Sequence, residues 1–299
     1  MRVFVTGATG YIGFNVASAL RRAGHQVWGL ARGREKADLL ARNEIHPVIG
    51  SMQEPETYLR AASQCSVLIH AAADYTADTF ALDGKTVEAL LSTAAKGALP
   101  KSLIYTSGVW VFGNTGNNLV DETSPLRPPK FIEPRVRTEE LVLQADTIRG
   151  TVLRPGCVYG RQGGLTGAWF AGAAGGDLKV VGDGNNRWAM VHVDDLAEAY
   201  LLLAESELAG EDFNIVDGSR YTVRDLAASA ACAAGFTGKI EYLPVKEAAK
   251  QMGGFAEGLA LDQHVDGRKA DRFLGWIPSH IGFVDEARTY FESWKAARG

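Results

Sequence analysis

The 299-residue chain has little sulfur to work with. Its three cysteines, Cys65, Cys157 and Cys232, are far apart and odd in number. That excludes a disulfide framework and a cysteine metal site, and no metal is expected. The three fit a reducing compartment, each as a small buried hydrophobe. There is no basic block: acids and bases are mixed along the chain and the formal net charge is −4, so nucleic acid is not an expected partner. No apolar run is long enough to cross a bilayer, so no membrane partner is expected. The start does not read as a signal peptide, because Met1 and Arg2 lead straight into Val3-Phe4-Val5 and then glycines. These absences point to a cytoplasmic protein. Internal repeats and low-complexity tails are also missing.

What is present is apolar. A hydrophobic content of 46% over this length buries a large core, in one large domain with an appended lobe or in two domains. The first half alternates strands with helices. The strand-like runs are Arg2–Thr6, Gln26–Ala31, His46–Ile49, Val67–Ala71, Ser102–Thr106 and Gly150–Arg154. Helical patterns lie at Ile12–Ala23, Glu54–Ala62, Asp83–Lys96 and Pro134–Ala145. Several of the strands are apolar without alternation, as when both faces of a parallel sheet are covered. The segment Gly108–Arg135 is rich in Gly, Asn and Pro, and reads as a long loop of the kind that lines or covers a site. Beyond Arg154 the pattern weakens. Gly160–Gly184 is glycine-rich. Met190–Val193, Phe213–Val216 and Lys239–Leu243 read as strands, and Asp194–Ala204 and Phe283–Ala297 as helices.

The strongest local signal is Thr6-Gly7-Ala8-Thr9-Gly10-Tyr11-Ile12-Gly13, which follows a strand and opens a helix. Gly7 permits a tight turn, Gly10 lets backbone N–H groups approach a pyrophosphate, and Gly13 allows close helix packing. The helix N-terminus supplies unpaired donors and a positive dipole end. The turn therefore predicts a dinucleotide site built from Gly7, Thr9, Gly10, Tyr11 and Ile12 on a Rossmann-type, doubly wound α/β sheet. An acid near the end of the second strand would bind the ribose 2′-hydroxyl of NAD. Leu30-Ala31-Arg32-Gly33-Arg34 stands there instead, and guanidinium forks suit a 2′-phosphate. The expected cofactor is NADP(H), with NAD(H) second. Arg32 is the main contact and Arg34 the other candidate; the alternative is a solvated basic turn.

With these residues laid out, the chain resembles the extended short-chain dehydrogenase/reductase family, also called the NAD-dependent epimerase/dehydratase family. The matching signposts run through nearly the whole chain: the glycine turn; His70-Ala71-Ala72-Ala73; Tyr105-Thr106-Ser107 and Val111-Phe112-Gly113; Leu153-Arg154-Pro155-Gly156-Cys157-Val158-Tyr159-Gly160; Val191-His192-Val193-Asp194-Asp195-Leu196-Ala197; and Leu274-Gly275-Trp276-Ile277-Pro278. The resemblance implies an NAD(P)-binding Rossmann domain over 1–160 plus about 190–217, and a smaller C-terminal α/β substrate lobe over about 161–189 plus 218–299. It implies that Ala71, Ala72 and Ala73 run past the phosphate and ribose, that Thr106 lies near the nicotinamide, and that Pro155, Gly156 and Val158 flank its amide. Asp194 and Asp195 read as structural, and His192 as a packed, hydrogen-bonded residue.

The family's usual chemistry rests on a Ser or Thr and a Tyr-x-x-x-Lys helix, whose Tyr exchanges a proton with a carbonyl or alcohol. This chain departs from it. No tyrosine lies between Tyr105 and Tyr159. Alignment through Glu139-Glu140-Leu141-Val142-Leu143 puts Phe131 at the Tyr position and Arg135, still able to bind ribose hydroxyls, at the Lys position. Gly108 takes the serine position, with Ser107 adjacent. The motif Tyr242-Leu-Pro-Val-Lys246 lies outside the expected segment, and its proline bars a regular helix. Ser107 and Tyr75 are the candidate acids; bound water, or no catalysis at all, are the alternatives.

Trp110, Phe112, Trp169, Phe170 and Trp188 are expected to line a cleft that suits a flat apolar substrate, with lobe packing as the alternative. Arg187 and Arg135 are candidates for an anionic group, although Arg187 aligns poorly with the arginine of nucleotide-sugar enzymes. The leading expectation is an NADP(H)-dependent oxidoreductase on a small carbonyl or alcohol, as a monomer or homodimer. A nucleotide-sugar epimerase or dehydratase and a non-catalytic NADP(H)-sensing protein are the alternatives.

Overall fold

The computed structural model describes residues 1–73, 79–94, 101–280 and 282–298. They form two compact units. The first comprises Met1–Ser107, Pro134–Arg154 and Ala197–Phe213; the second comprises Gly108–Glu133, Pro155–Leu196 and Asn214–Gly299.

The first unit is built on strands β1 (Arg2–Thr6), β2 (Gln26–Ala31), β3 (His46–Ile49), β4 (Val67–His70), β5 (Ser102–Thr106) and β6 (Arg149–Pro155), joined by β10 (Glu211–Ile215). The sheet order is β10-β6-β5-β4-β1-β2-β3. The pairings among β1 to β6 are parallel, with Val3 opposite both Val27 and Val67, and Thr6 opposite His70. Strand order reverses between β1 and β4, and such a switch point opens a crevice at the carboxyl ends of the strands. Burial along β4 is continuous, as expected for a sheet covered on both faces. The helices are α1 (Tyr11–Arg22), α2 (Arg34–Arg42), α3 (Leu59–Ser63), α4 (Thr79–Leu91) and α5 (Glu133–Leu143), with α7 (Val193–Glu205) leading towards β10. Phe4, Tyr58, Leu68, Leu103, Tyr105, Val142 and Val152 fill one core layer.

Several details depart from the sequence reading. Arg34–Arg42, to which the sequence reading assigned no element, is a helix that buries only Ala37 and Leu40. The pattern at Glu54–Ala62 splits into a 3₁₀ turn, Pro55–Thr57, followed by α3. Helix α4 begins four residues before the expected Asp83. Inside the unit, Arg154 is 3% exposed. Its guanidinium donates to both carboxylate oxygens of Glu139, at 3.1 Å from Nε and 2.7 Å from Nη2, and pairs with Asp212 at 2.5 Å. This clamp joins α5, β6 and β10.

The second unit contains β7 (Cys157–Tyr159) paired with β9 (Met190–His192), and β8 (Lys179–Val181) paired with β11 (Glu241–Leu243). Its helices are α6 (Thr166–Gly175), α8 (Val223–Ala233), α9 (Val245–Met252), α10 (Phe255–Leu259), α11 (Arg268–Leu274) and α12 (Ala287–Ala296). Thr222 caps α8 in a reciprocal box with Asp225. Four of the five aromatic residues expected to line a cleft are core instead. Phe112 and Phe170 are 2% exposed, and Trp169 and Trp188 6%. The two tryptophans stack at 4.9 Å. Only Trp110 keeps appreciable exposure. Tyr242 lies on β11 and Lys246 in α9, with Pro244 between them, so they share no helix. No helix among the described residues is long and apolar enough to cross a membrane.

Candidate functional site

The glycine turn leaves β1 at the switch point. Gly7 has φ +73°, and a Cβ there would lie 2.5 Å from the Ala71 carbonyl oxygen, so the turn rests on the backbone that follows β4. At Gly13 an added Cβ would lie 2.2 Å from Gly7 O. The two glycines press turn, helix and β4 together. Gly10 differs: its own Cβ would meet only Gly7 O, at 3.2 Å. It is the exposed N-cap of α1, with no side-chain cap and no acid in the first turn. In the first turn of any helix the N–H groups, here those of Ile12 and Gly13, fall outside the helix's own hydrogen-bond ladder. Thr9 stands beside them, partly exposed. This cradle fits a dinucleotide pyrophosphate.

At the end of β2, Arg32 is exposed, and Gly33 caps α2. Arg34 begins α2 and pairs with Asp38 one turn on, at 3.2 Å, with 84% of its side chain exposed. Ala71 and Ala72 are partly exposed and Ala73 exposed. Tyr75 lies outside the described residues.

A polar network with no counterpart in the sequence reading lies beneath the carboxyl ends of β1, β4 and β5. Thr6 Oγ1 and His70 Nδ1 are 2.6 Å apart, and His70 Nε2 is 3.0 Å from Asp83 Oδ1. Tyr105 donates its hydroxyl to Asp83 Oδ2 at 2.5 Å. All four side chains are buried. Burial by itself raises the Asp83 carboxyl, but the bond and charge of His70, the Arg135 charge and the Tyr105 bond outweigh it and hold the group below the usual aspartate range. Burial, first of all, keeps the Tyr105 phenol far above its ordinary value. One signal in the sequence points to Asp83: with Val87 and Leu90 it shares a helical face, and all three are buried.

The end of β5 is similarly committed. Thr106 Oγ1 donates to His70 O at 2.7 Å and lies 2.5 Å from the Tyr200 hydroxyl. Arg135 donates to Thr106 O at 2.8 Å, and its guanidinium lies over the Phe80 ring. Ser107 is different. Its N–H bonds Leu153 O, but its buried hydroxyl has no hydrogen-bond partner among the described residues.

In the second unit, Gly156 donates to Ile215 O, and a Cβ there would lie 2.5 Å from Ala189 O. Pro155 and Val158 are buried on either side. Arg187 is engaged: Nε and Nη2 bond Asp262 at 2.9 and 2.8 Å, and Nη2 also meets Gly116 O and Asn117 Oδ1. A cavity of about 500 Å³ is lined by Arg187, Arg220, His264, Trp276 and Ile277 among others; of the residues singled out from sequence as cofactor or catalytic candidates, it holds none. His192 is 3% exposed and stacks on His280 at 3.5 Å. Burial and the neighbouring His280 push it down to about 4, so it is neutral. With Asp194 these two histidines bring potential metal ligands within 4.8 Å. Yet His192 Nδ1 accepts the Asp194 N–H, and Asp194 is held bidentately by Arg161. Asp195 accepts from Ser279 and twice from His280. These acids and histidines hold the local structure together.

Comparison with known proteins gives a consistent picture. Residues 3–216 match the model of the NAD dependent epimerase/dehydratase family. A 4-hydroxy-2-methyl-3-oxo-4-farnesyl-3,4-dihydroquinoline-1-oxide ketoreductase of Stigmatella aurantiaca is 28% identical, with 83% of this chain and 78% of the relative covered. A 3-diazoavenalumate denitrifying reductase of a Streptomyces species is 28% identical over 95% of this chain and 98% of the relative. The crystal structure of the human epimerase family protein SDR39U1 with NADPH superposes with a TM-score of 0.78 at 22% identity, covering 98% of this chain and 99% of that one.

Proposed function

The chain belongs to the NAD-dependent epimerase/dehydratase family, and from that membership we propose that it is an NADP(H)-dependent oxidoreductase acting on a small carbonyl or alcohol. The observation that carries the reading is the uncapped, acid-free start of α1 at the switch point, with Arg32 and no acid at the end of β2. In this reading Gly7 to Ile12 hold the pyrophosphate. Arg32 meets the 2′-phosphate as the main contact, with Arg34, which pairs with Asp38, the second candidate. Ala71, Ala72, Ala73 and Thr106 border the ribose and nicotinamide, Arg135 the ribose, and Pro155, Gly156 and Val158 the amide. Bound there, a nicotinamide dinucleotide supplies or accepts hydride.

Of the described candidate residues at the end of β5, it is Ser107 that offers an uncommitted hydroxyl. Thr106 is fully bonded and Arg135 serves the Thr106 carbonyl. A buried hydroxyl without a partner costs about 1–3 kcal/mol, which a substrate oxygen would recover. Ser107 therefore orients and polarises the substrate oxygen, and the proton comes through it from water. Phe131 and Arg135, at the family's Tyr and Lys positions, transfer none. The two reductase relatives and the NADPH-bound neighbour support this reading. The occupied Arg187 speaks against a nucleotide-sugar diphosphate at that residue.

The test is a screen of carbonyls with NADPH and of alcohols with NADP⁺, alongside cofactor calorimetry. NADPH-linked turnover is the expected result. Tight NADPH binding with no turnover on any substrate would replace the reading with a cofactor-sensing protein.

A further inference from the structure

Three aromatic rings in the second unit form a corner that the proposed hydride chemistry does not by itself require. Trp110 meets Phe131 edge to face with ring centroids 6.1 Å apart, and Phe255 at 5.3 Å. All three are partly exposed, unlike the buried Trp169–Trp188 stack. They come from three separate pieces of chain: the turn Val109–Phe112, the turn Lys130–Ile132, and α10.

The corner is held in place by missing side chains. A Cβ added at Gly258 would lie 2.6 Å from Trp110 Cζ3, and one at Gly254 would lie 2.8 Å from Phe131 Cγ. Both rings therefore lie flush against bare backbone at α10. The C-terminal end of α10 is itself tied down, because Leu259 O accepts from Trp188 Nε1 at 2.9 Å and from Asn186 Nδ2 at 3.1 Å. Rings fixed in this way lose little freedom when a ligand docks against them. Their faces and edges favour another π system beyond simple area burial.

We propose that Trp110, Phe131 and Phe255 form a ring-recognition surface of the second unit, and that they select a planar, conjugated ketone over a saturated one of equal size. The inference rests on the reductase reading for the choice of a carbonyl compound as ligand, and on the ring corner alone for its location. It concerns ring recognition, which is measurable without turnover.

The experiment is calorimetric titration of 2-acetonaphthone and of its fully saturated counterpart, methyl decahydronaphthyl ketone, into the full-length protein with and without NADP⁺. The aromatic ketone is expected to bind about tenfold more tightly, the size of one or two aromatic contacts. Trp110→Ala and Phe255→Ala should each remove most of that preference. Gly258→Ala keeps every ring but displaces Trp110, and should do the same. Phe255→Leu keeps apolar volume and guards against a folding artefact; it too should lower the preference. NADP⁺ affinity should stay within twofold throughout. Equal affinities for the two ketones in the wild type would overturn the inference, as would a preference that survives all four substitutions. NADP⁺ binding with no ring preference would leave the reductase reading standing and sink this one. Ring preference in a protein that does not bind NADP⁺ would do the reverse.

Discussion

His70 Nε2 lies 3.0 Å from Asp83 Oδ1, with 1% of one side chain and 5% of the other exposed. The pair joins the end of β4 to α4, and through Thr6 and Tyr105 it reaches the ends of β1 and β5. Three of the strand ends that border the switch point are thus held by one acid.

Asp83→Asn should therefore destabilise the protein by about 1–3 kcal/mol, the usual cost of leaving buried hydrogen-bonding groups unsatisfied. The sign of its pH dependence follows from the depressed carboxyl. Ionised Asp83 contributes its full stability above the unfolded aspartate value of about 3.9, and that contribution is lost as pH falls through the lower folded value. Urea unfolding of the two proteins should show a constant gap from pH 8 to about 5, and a narrowing gap below about 4. A gap that does not change with pH would mean that Asp83 is buried uncharged.

The three glycines of the turn should respond differently to substitution. Gly7→Ala and Gly13→Ala drive a Cβ into backbone at 2.5 and 2.2 Å, so each should lower the thermal midpoint, at a cost of about 1–3 kcal/mol. At Gly10 an added Cβ meets only Gly7 O, at 3.2 Å, so Gly10→Val should melt close to wild type while losing cofactor binding. Thermal melts beside NADPH titrations separate the two behaviours. Intact NADPH affinity in Gly10→Val would place the phosphate elsewhere.

Arg32→Ala should weaken NADPH at least tenfold and NADH by less than twofold, because a charge-assisted contact with a 2′-phosphate contributes about 1.5–3 kcal/mol. Arg34→Ala should have the smaller effect, given its pairing with Asp38. Equal losses for both cofactors on changing Arg32 would assign the arginine to the fold.

Ser107→Ala should lower kcat by about 10² with cofactor affinity unchanged. Tyr75→Phe tests the other candidate acid by the same assay. Phe131→Tyr combined with Arg135→Lys should add a route that the wild type lacks, seen as turnover that persists when Ser107 is also replaced. Undiminished turnover in both single variants would leave water as the direct proton source.

Much of the architecture is legible in the residues. β1, β2, β3 and β5 run over the spans that their apolar runs predict, because each run is short and ends at a glycine, proline or polar residue. α2 is hidden because only Ala37 and Leu40, with the half-buried Leu39, mark its inner face among six exposed neighbours. α6 is hidden because its three glycines read as loop, whereas in the fold Gly167 lets the Trp294 ring lie close, where an added Cβ would be 3.2 Å from Nε1. That tight helix draws Trp169 and Phe170 into the core instead of a cleft. Asp83 escapes notice because a carboxylate is normally read as a solvent-facing residue, and its partners His70 and Tyr105 lie on other strands. Phe255 carries no motif, and its meaning comes only from the two rings beside it.

The engagement of Arg187 bears on how the protein would respond to salt. With the Nε–Nη2 fork of its guanidinium taken up by Asp262, and Nη2 shared with Gly116 and Asn117, this arginine does not offer that fork to a dissolved anion. A substrate recognised by ring contact crosses no ionic atmosphere on its way in, whereas a dinucleotide phosphate meeting Arg32 at the surface does. Raising ionic strength would then separate the two ligands of one reaction: cofactor affinity would fall with added salt, while the apolar substrate would bind as well or better.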